Sequence, residues 1–467
     1  MSAVRAEALP DRLSVRRTAS GAALAGVCAA LGVAVADGAF VLALVAVVAV
    51  IYALMLLTRP AAALLCYAAT RPIVDAFVRD EVGTFSRGQI WSAGLLASIV
   101  AALMLGRAGP RPRELSHTPA IWFLVAYGGT TFWQPEATFA FAQWLRAVMW
   151  ILFALAVERV ARTAAGQRSA ARCGSVFAAL TVVVIAVAIV DNRYGAAYYA
   201  HHFSGGGQSP HGLVEIAVLA LPIVLLSLVR QTGRLVAAVI LAALCVEVVV
   251  SFVRTGYLGL AVIVLGCAWL GIRRGRAGFA ALAVIAAIAT AVTAFALSDK
   301  IASRLSDLSY VTAGGQAERE AGAGRVGFWV AVTDASLSGV SGLIVGEGAA
   351  SSIAINQRIN GQAAAAHNDF VEMLGTGGLI LLFSYLGLLT WAFGSFRRLR
   401  GDPRQSPAAR DVGALGLVAC SAFVVLSFFN GIATSAASLP FALMLGLARG
   451  MCATPGRTFI DARAWTP

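Results

Sequence analysis

Apolar stretches, mostly of about 17 to 21 residues, recur along this chain with short polar connections between them. Each is long enough, coiled as a helix, to cross a hydrocarbon core of about 30 Å. The pattern predicts spans at 20–36, 39–57, 60–77, 88–106, 118–134, 138–158, 174–190, 212–229, 235–252, 255–272, 277–297, 370–394, 411–430 and 432–448. The third is short and carries Arg71, and the pair over 235–272 is divided by only a tight turn, so the count is 12 to 14. One long polar interruption, 298–369, precedes the late apolar run. Within it, Val326 to Val332 reads as a short amphipathic helix at a membrane interface. Where the apolar pattern resumes, Asp369 with Glu372 three residues on reads as a helix N-cap with its capping-box partner.

The fold class expected is therefore all-α, a polytopic transmembrane helical bundle. It divides into an N-terminal bundle (1–297), a large extracytoplasmic loop (298–369), late transmembrane helices (370–450) and a cytoplasmic tail (451–467). Composition agrees. With 467 residues, 59% of them hydrophobic and 13% charged, and a mean hydropathy of +0.80, the chain carries more apolar surface than a water-soluble protein of this size can bury.

A net charge of +13 suggests nucleic acid at first sight, but its placement excludes that reading. The clusters Arg12/Arg16/Arg17, Arg59, Arg107/Arg111/Arg113, Arg159/Arg162/Arg168/Arg172, Arg230/Arg234, Arg273/Arg274/Arg276 and Arg397/Arg398/Arg400/Arg404/Arg410 fall on alternate connections. Acidic Asp80-Glu81, the segment 191–211 and the long 298–369 segment fall on the others. By the positive-inside rule both termini lie in the cytoplasm and the long segment lies outside. The basic N-terminus before an apolar run resembles a signal sequence, yet further spans follow at once, so it reads as a retained first span. The seven cysteines lie almost wholly in apolar runs and imply no disulfide framework. There is no phosphate-binding glycine loop and no paired acidic motif to hold a metal with a nucleotide-sugar, so the energy of any reaction must arrive with a lipid-linked substrate.

Three features on the predicted outer side can carry chemistry. Arg254, in Ser251-Phe252-Val253-Arg254-Thr255-Gly256, is a cation near membrane depth at an end where the charge rule disfavours Arg. Its plain alternative is an Arg snorkelling from a helix end. Arg325, in Gly324-Arg325-Val326-Gly327-Phe328-Trp329, is a second cation from a separate segment. Two guanidinium groups suit a diphosphate, whose oxygens each can grip in bidentate fashion. His367 with Asn368 stands just before the predicted helix start at 369, where the positive end of the helix dipole favours a neutral imidazole able to accept a proton. A neutral His over an acceptor hydroxyl, with two Arg on a departing diphosphate, makes a glycosyl-transfer site that needs no metal or cofactor.

Secondary candidates are Glu247, seven residues before Arg254 and able to share a helix face with it, Glu215 and Arg146 inside apolar runs, Asp75 near an outer helix end, and Trp329 beside Arg325. Structural pairing is the alternative for each of the charged ones. His201, His202 and His211 lack an acidic companion and do not read as a metal site.

These residues carry a resemblance. Arg254 at its turn, Gly324-Arg325 followed by Trp329, Leu343-Ile344-Val345-Gly346-Glu347-Gly348, and His367-Asn368-Asp369 with Gly375-Thr376-Gly377-Gly378-Leu379 together resemble the O-antigen ligase/polymerase superfamily of membrane glycosyltransferases. The likeness is sharpest over 251–394. It implies a GT-C-like fold, an undecaprenyl-diphosphate-linked glycan as donor, and lipid A core, a growing polysaccharide or a protein as acceptor. It implies that Arg254 and Arg325 hold the donor diphosphate and that His367 activates the acceptor or assists transfer. In the outer segment 191–211, Arg193 and Gly195 match the family, whereas Ser209-Pro210-His211 departs from its Pro-Asn pair. The place implied is the bacterial inner membrane. A secondary transporter or lipid-linked glycan flippase is the rival from another class, although no pairing of broken helices between two halves is visible.

Overall fold

The computed structural model describes residues 40–73, 81–82, 85–105, 116–133, 137–190, 210–229, 234–251, 253–274, 287, 291, 325–360 and 365–453. Nearly all of these are helical. The helices are α1 (Phe40–Thr58), α2 (Pro60–Ala69), α3 (Arg87–Leu105), α4 (Thr118–Gly129), α5 (Ala137–Val160), α6 (Ala164–Val190), α7 (Pro210–Val229), α8 (Arg234–Val250) and α9 (Arg254–Arg274). After these come α10 (Arg325–Leu337), α11 (Val340–Val345), α12 (Ser351–Asn360), α13 (Asp369–Gly401), α14 (Pro407–Phe429) and α15 (Leu439–Ala453). Besides turns and short connections, the rest comprises a 3-10 turn at Ala436–Ser438 and one antiparallel pairing of Glu81–Val82 with Phe85–Ser86. Among the described residues, four helical stretches are long and apolar enough to cross a membrane: Ala140–Val160, Arg254–Gly271, Asp369–Gly401 and Pro407–Phe429. Shorter apolar helices, among them His211–Ser227, Leu235–Val249 and Leu439–Ala453, pack beside them.

α13 and α14 form the spine. Ser406 caps α14 by accepting from the Ala409 N–H at 3.1 Å, with Pro407 in the first turn where its missing donor costs nothing. α14 then packs against α13, α9, α7 and α15, and α15 lies along α5. Trp150, Phe423 and Phe441 meet at their common core, with the two Phe rings stacked at 4.4 Å. Small residues set the closest approaches. A Cβ on Gly446 would stand 2.4 Å from the Ala154 carbonyl oxygen, and one on Gly416 would run into the Phe396 ring.

Several sequence expectations shift. The last span, expected from 432, begins as an α-helix only at Leu439, and 430–438 is a largely buried segment without α-helix that ends in the 3-10 turn. Backbone outside a helix survives in such surroundings only if protein groups satisfy it. Here Asp369 accepts the Ala433 N–H at 3.0 Å, the Trp150 indole donates to the Ala433 carbonyl at 2.8 Å, and Ser438 donates to the Ile432 carbonyl at 2.6 Å. The N-cap of α13 is Asn368, not Asp369. The Asn368 carboxamide oxygen accepts from the Phe370 and Val371 N–H groups at 2.9 and 3.2 Å, because Asp369 is turned inward to the 433 backbone. Glu372 consequently does not close a capping box. It accepts instead from Ser352 at 2.8 Å and from the Ala366 N–H at 3.3 Å.

α13 is also broken inside. Gly377 and Gly378 leave helical geometry, with φ of +60° at Gly378, which glycine adopts without strain. The carbonyls freed near this kink are taken by another segment: Glu347 N–H donates to Gly375 and Gly348 N–H to Thr376, at 2.8 and 2.9 Å. Gly346, at φ +70°, presses so close that a Cβ there would stand 2.5 Å from the Gly377 nitrogen. The two Gly-rich stretches singled out in the sequence therefore dock on each other.

Candidate functional site

The expected short helix exists as α10, beginning at Arg325 and burying Phe328, Ala331, Val332 and Ser336. Arg325 and Trp329 are one turn apart and share a face. The Trp329 indole donates to the Ala366 carbonyl at 2.7 Å, while Glu372 holds the Ala366 N–H. The N–H and the carbonyl of Ala366 are thus both fixed immediately before His367. His367 itself takes φ +52°, a left-handed backbone that costs a non-glycine residue about 1–2 kcal/mol and persists because its neighbours on both sides are tied down. The residue is exposed and partly desolvated. Desolvation first, and then the charge of Arg325, push its pKa below the ordinary 6.5. His367 is accordingly neutral at pH 7, as a proton acceptor must be.

Arg325 Nη1 donates to the Phe429 carbonyl at 2.6 Å, at the last residue of α14. The next residue, Asn430, is buried and uses its carboxamide nitrogen toward two other helices. It donates to Thr255 Oγ1 on α9 at 2.9 Å and to the carboxyl of Glu215 on α7. Thr255 follows Arg254 directly, and the N-terminal turn of α9 is steadied by Ser251, whose hydroxyl accepts from the Val253 N–H at 3.3 Å. Arg254, Arg325 and His367, expected from separate stretches, are therefore brought to one end of the bundle. Asn430 and the Phe429 carbonyl are the link between the two cations.

Behind them lies Asp369, buried, with Tyr385 donating to Oδ2 at 3.2 Å and Ser427 hydrogen-bonded to the same Tyr at 2.9 Å. Glu215 lies in the electrostatic reach of both Asp369 and Arg325. Beside Arg325, Trp329, Phe428, Phe429 and Phe370 pack ring against ring, with centroid separations from 5.1 to 6.5 Å. Two cations, a neutral imidazole at the surface and an aromatic wall are the parts needed to hold a diphosphate and accept a proton from a hydroxyl beside it.

Other expected residues are placed differently. Asn368 is buried and its carboxamide oxygen is engaged by the helix end, so it positions the turn and does not contact a substrate through that atom. Trp329 uses its indole N–H on Ala366, which makes it a support for His367. Glu247 does not share a helix with Arg254, since α8 ends at Val250 and α9 begins at Arg254. It is buried on α8 with neither carboxyl oxygen hydrogen-bonded among the described residues. Asp75 and Arg193 lie outside the described residues. No group of three or more potential metal ligands occurs among the described residues. Asn430 was not singled out in the sequence: an isolated Asn after an apolar run gives only a helix-end signal, and its partners lie 175 and more residues away.

Compared with models of known protein families the chain matches none, and no curated protein matches its sequence.

Proposed function

We propose that this protein is a membrane glycosyltransferase that moves a glycan from a polyprenyl diphosphate carrier to an acceptor hydroxyl, in the manner of O-antigen ligases and polysaccharide polymerases. The observation that carries the reading is the convergence of Arg325, His367 and Arg254 at one end of the bundle, with His367 held neutral. In this mechanism the two guanidinium groups bind the donor diphosphate and stabilise the charge that develops as it departs. His367 accepts the proton of the attacking hydroxyl. Attack opposite the leaving diphosphate inverts the anomeric carbon. The donor is an undecaprenyl-diphosphate-linked glycan, and the acceptor is lipid A core, a growing polysaccharide or a protein. The His367 end faces the periplasm or cell exterior, both termini are cytoplasmic, and the bundle has 12 to 14 spans of GT-C-like arrangement in a bacterial inner membrane.

The test is transfer by the reconstituted protein from a synthetic polyprenyl-diphosphate glycan. Arg325→Ala, Arg254→Ala and His367→Ala should each lose activity by about 10²-fold or more. Full transfer by any purified, folded variant of the three sinks the reading. A transporter or flippase is the second reading, favoured by Glu215 and Glu247, acids buried within apolar helices. Carrier-linked glycan that crosses the bilayer with no new glycosidic bond would decide for it.

A further inference from the structure

The stretch Leu337-Ser338-Gly339-Val340-Ser341-Gly342-Leu343-Ile344-Val345-Gly346 has no charge between Asp334 and Glu347, and it contains α11. It exposes large apolar side chains: Val340 is 74% exposed, Leu337 56%, Ile344 44% and Val345 40%. In water such a cluster would be an aggregation hazard. Its height along the bundle is fixed by α13. Gly346 sits on Gly377 and Gly378, and the backbone of 347 and 348 bonds to Gly375 and Thr376. From Gly377 to Arg397, the first of the exposed Arg cluster at the far end of α13, is about 30 Å of helix, the thickness of a hydrocarbon core. The kink, and α11 on it, thus stand at the opposite edge of that core. A second helix marks the same level. Ala349 N–H bonds to the Thr130 carbonyl at 3.3 Å, and the next turn presents Phe132, 89% exposed, and Trp133, the latter a residue type that gathers where acyl chains meet headgroups. Just past the kink, α13 itself exposes Ile380 and Phe383.

We infer that residues 337–346, with Phe132 and Trp133, form an interfacial anchor seated in the headgroup–acyl boundary of the leaflet at the His367 end. The occupant of this apolar face is lipid acyl chain. The anchor is rigidly joined to α13 through the Gly346–Gly377/Gly378 contact, and it follows α10 directly, so it holds Arg325 and His367 at headgroup height. This placement does not depend on which reaction the site performs.

The full chain in lipid nanodiscs tests it. Val340→Cys and Ile344→Cys are compared with Asp334→Cys, an exposed acidic position, for labelling by a water-borne, membrane-impermeant maleimide followed peptide by peptide. Wild-type protein is irradiated separately in nanodiscs that contain phosphatidylcholine with a diazirine in its acyl chain. Labelling at 340 and 344 should be roughly ten-fold slower than at 334, and lipid adducts should map to 337–346. Equal labelling rates overturn the inference. Slow labelling without adducts also overturns it, and assigns the face to a second copy of the chain. Adduct mapping needs no substitution, so it decides the matter even if the cysteine variants do not fold.

Discussion

The two ends of α13 carry polar clusters of opposite construction. At the Arg449 end, one buried carboxylate, Glu158, lies between two guanidinium groups, with Arg449 Nε at 2.7 Å and Arg162 Nη2 at 2.9 Å. Arg449 is saturated: Nη1 meets Ser395, Nη2 meets the Ser116 carbonyl and His117 Nδ1, and the Trp391 ring lies over the guanidinium at 4.2 Å. That assembly ties α4, α5, α13 and α15 and leaves a ligand nothing to bind. At the His367 end the buried carboxyls of Asp369, Glu372 and Glu215 are met by neutral donors: Tyr385, Ser352, backbone N–H groups and Asn430. Arg325 is anchored there through a neutral carbonyl. Carboxylate and guanidinium groups bound to each other make a clamp. The carboxyls at the His367 end are met by neutral groups instead, and this contrast sets the structural cluster apart from the candidate functional one.

The sharpest way to break the contrast is a double dissociation. His367→Ala should lower transfer by about 10²-fold or more while leaving thermal unfolding of the purified protein nearly unchanged. Arg325→Ala should lower transfer as far, at a cost of only about 1–3 kcal/mol for the Phe429 carbonyl left without its donor. Arg449→Ala should do the reverse in kind, costing about 3–5 kcal/mol because Glu158 stays buried with half its compensation gone. Melting curves and initial rates on the same preparations read both. A catalytic defect without destabilisation in Arg449→Ala would erase the distinction.

Next in size is the kink. Gly378→Ala forces a Cβ to within 2.4 Å of the Ile344 carbonyl at a φ of +60°, and Gly346→Ala meets backbone in the same way. Backbone cannot step aside as a side-chain tip can, so each should cost about 3 kcal/mol or more, read as lost yield and melting temperature. Gly387→Ala, in the same helix with open space around it, should be tolerated and serves as the control.

Asn430→Ala is expected to be milder and to show both characters. It removes hydrogen bonds to Thr255 and Glu215, which costs about 1–3 kcal/mol and loosens the link between Arg254 and Arg325. A positioning role predicts a rise in donor KM beyond what lost stability explains, measured well below the melting temperature. An unchanged KM would reduce Asn430 to a helix-end fastener.

What could be read in the sequence follows from the range of each signal. Apolar runs, the helix start near 369 and the short helix at 326–332 are local or additive along the chain, and the described helices follow the expected spans within a few residues in most cases. The identity of the cap turned on the inward bond of Asp369 to residue 433, which local spacing cannot encode. The Arg449–Glu158 pair joins residues 291 apart, a separation that no local pattern encodes. The composition of 430–438 is apolar and reads as part of a span, while its backbone partners, Asp369 and Trp150, come from distant helices.

The smallest expected effect compares the two histidines directly. Both sit outside the apolar helices with pKa below the ordinary 6.5, burial being the first cause in each. For His367 the next cause is Arg325, whereas for His117 it is Glu158, which pulls the opposite way, before Arg449 and Arg162 oppose it again. Protonated His367 is disfavoured in the folded site, so it takes its proton only as pH falls below 6.5, and transfer that needs the neutral ring should decline over that acidic range and be level at pH 7. Arg325→Gln removes a repelling charge, which raises the His367 pKa toward 6.5 and moves the midpoint up. His117, at the other end of the 33-residue α13, should not respond. Carbodiethoxylation, which modifies only neutral imidazole, followed at both peptides across pH, reads this without relying on residual activity. A midpoint for His367 that ignores Arg325→Gln would mean that the two side chains do not share a site, and the convergence on which the functional reading rests would fail with it.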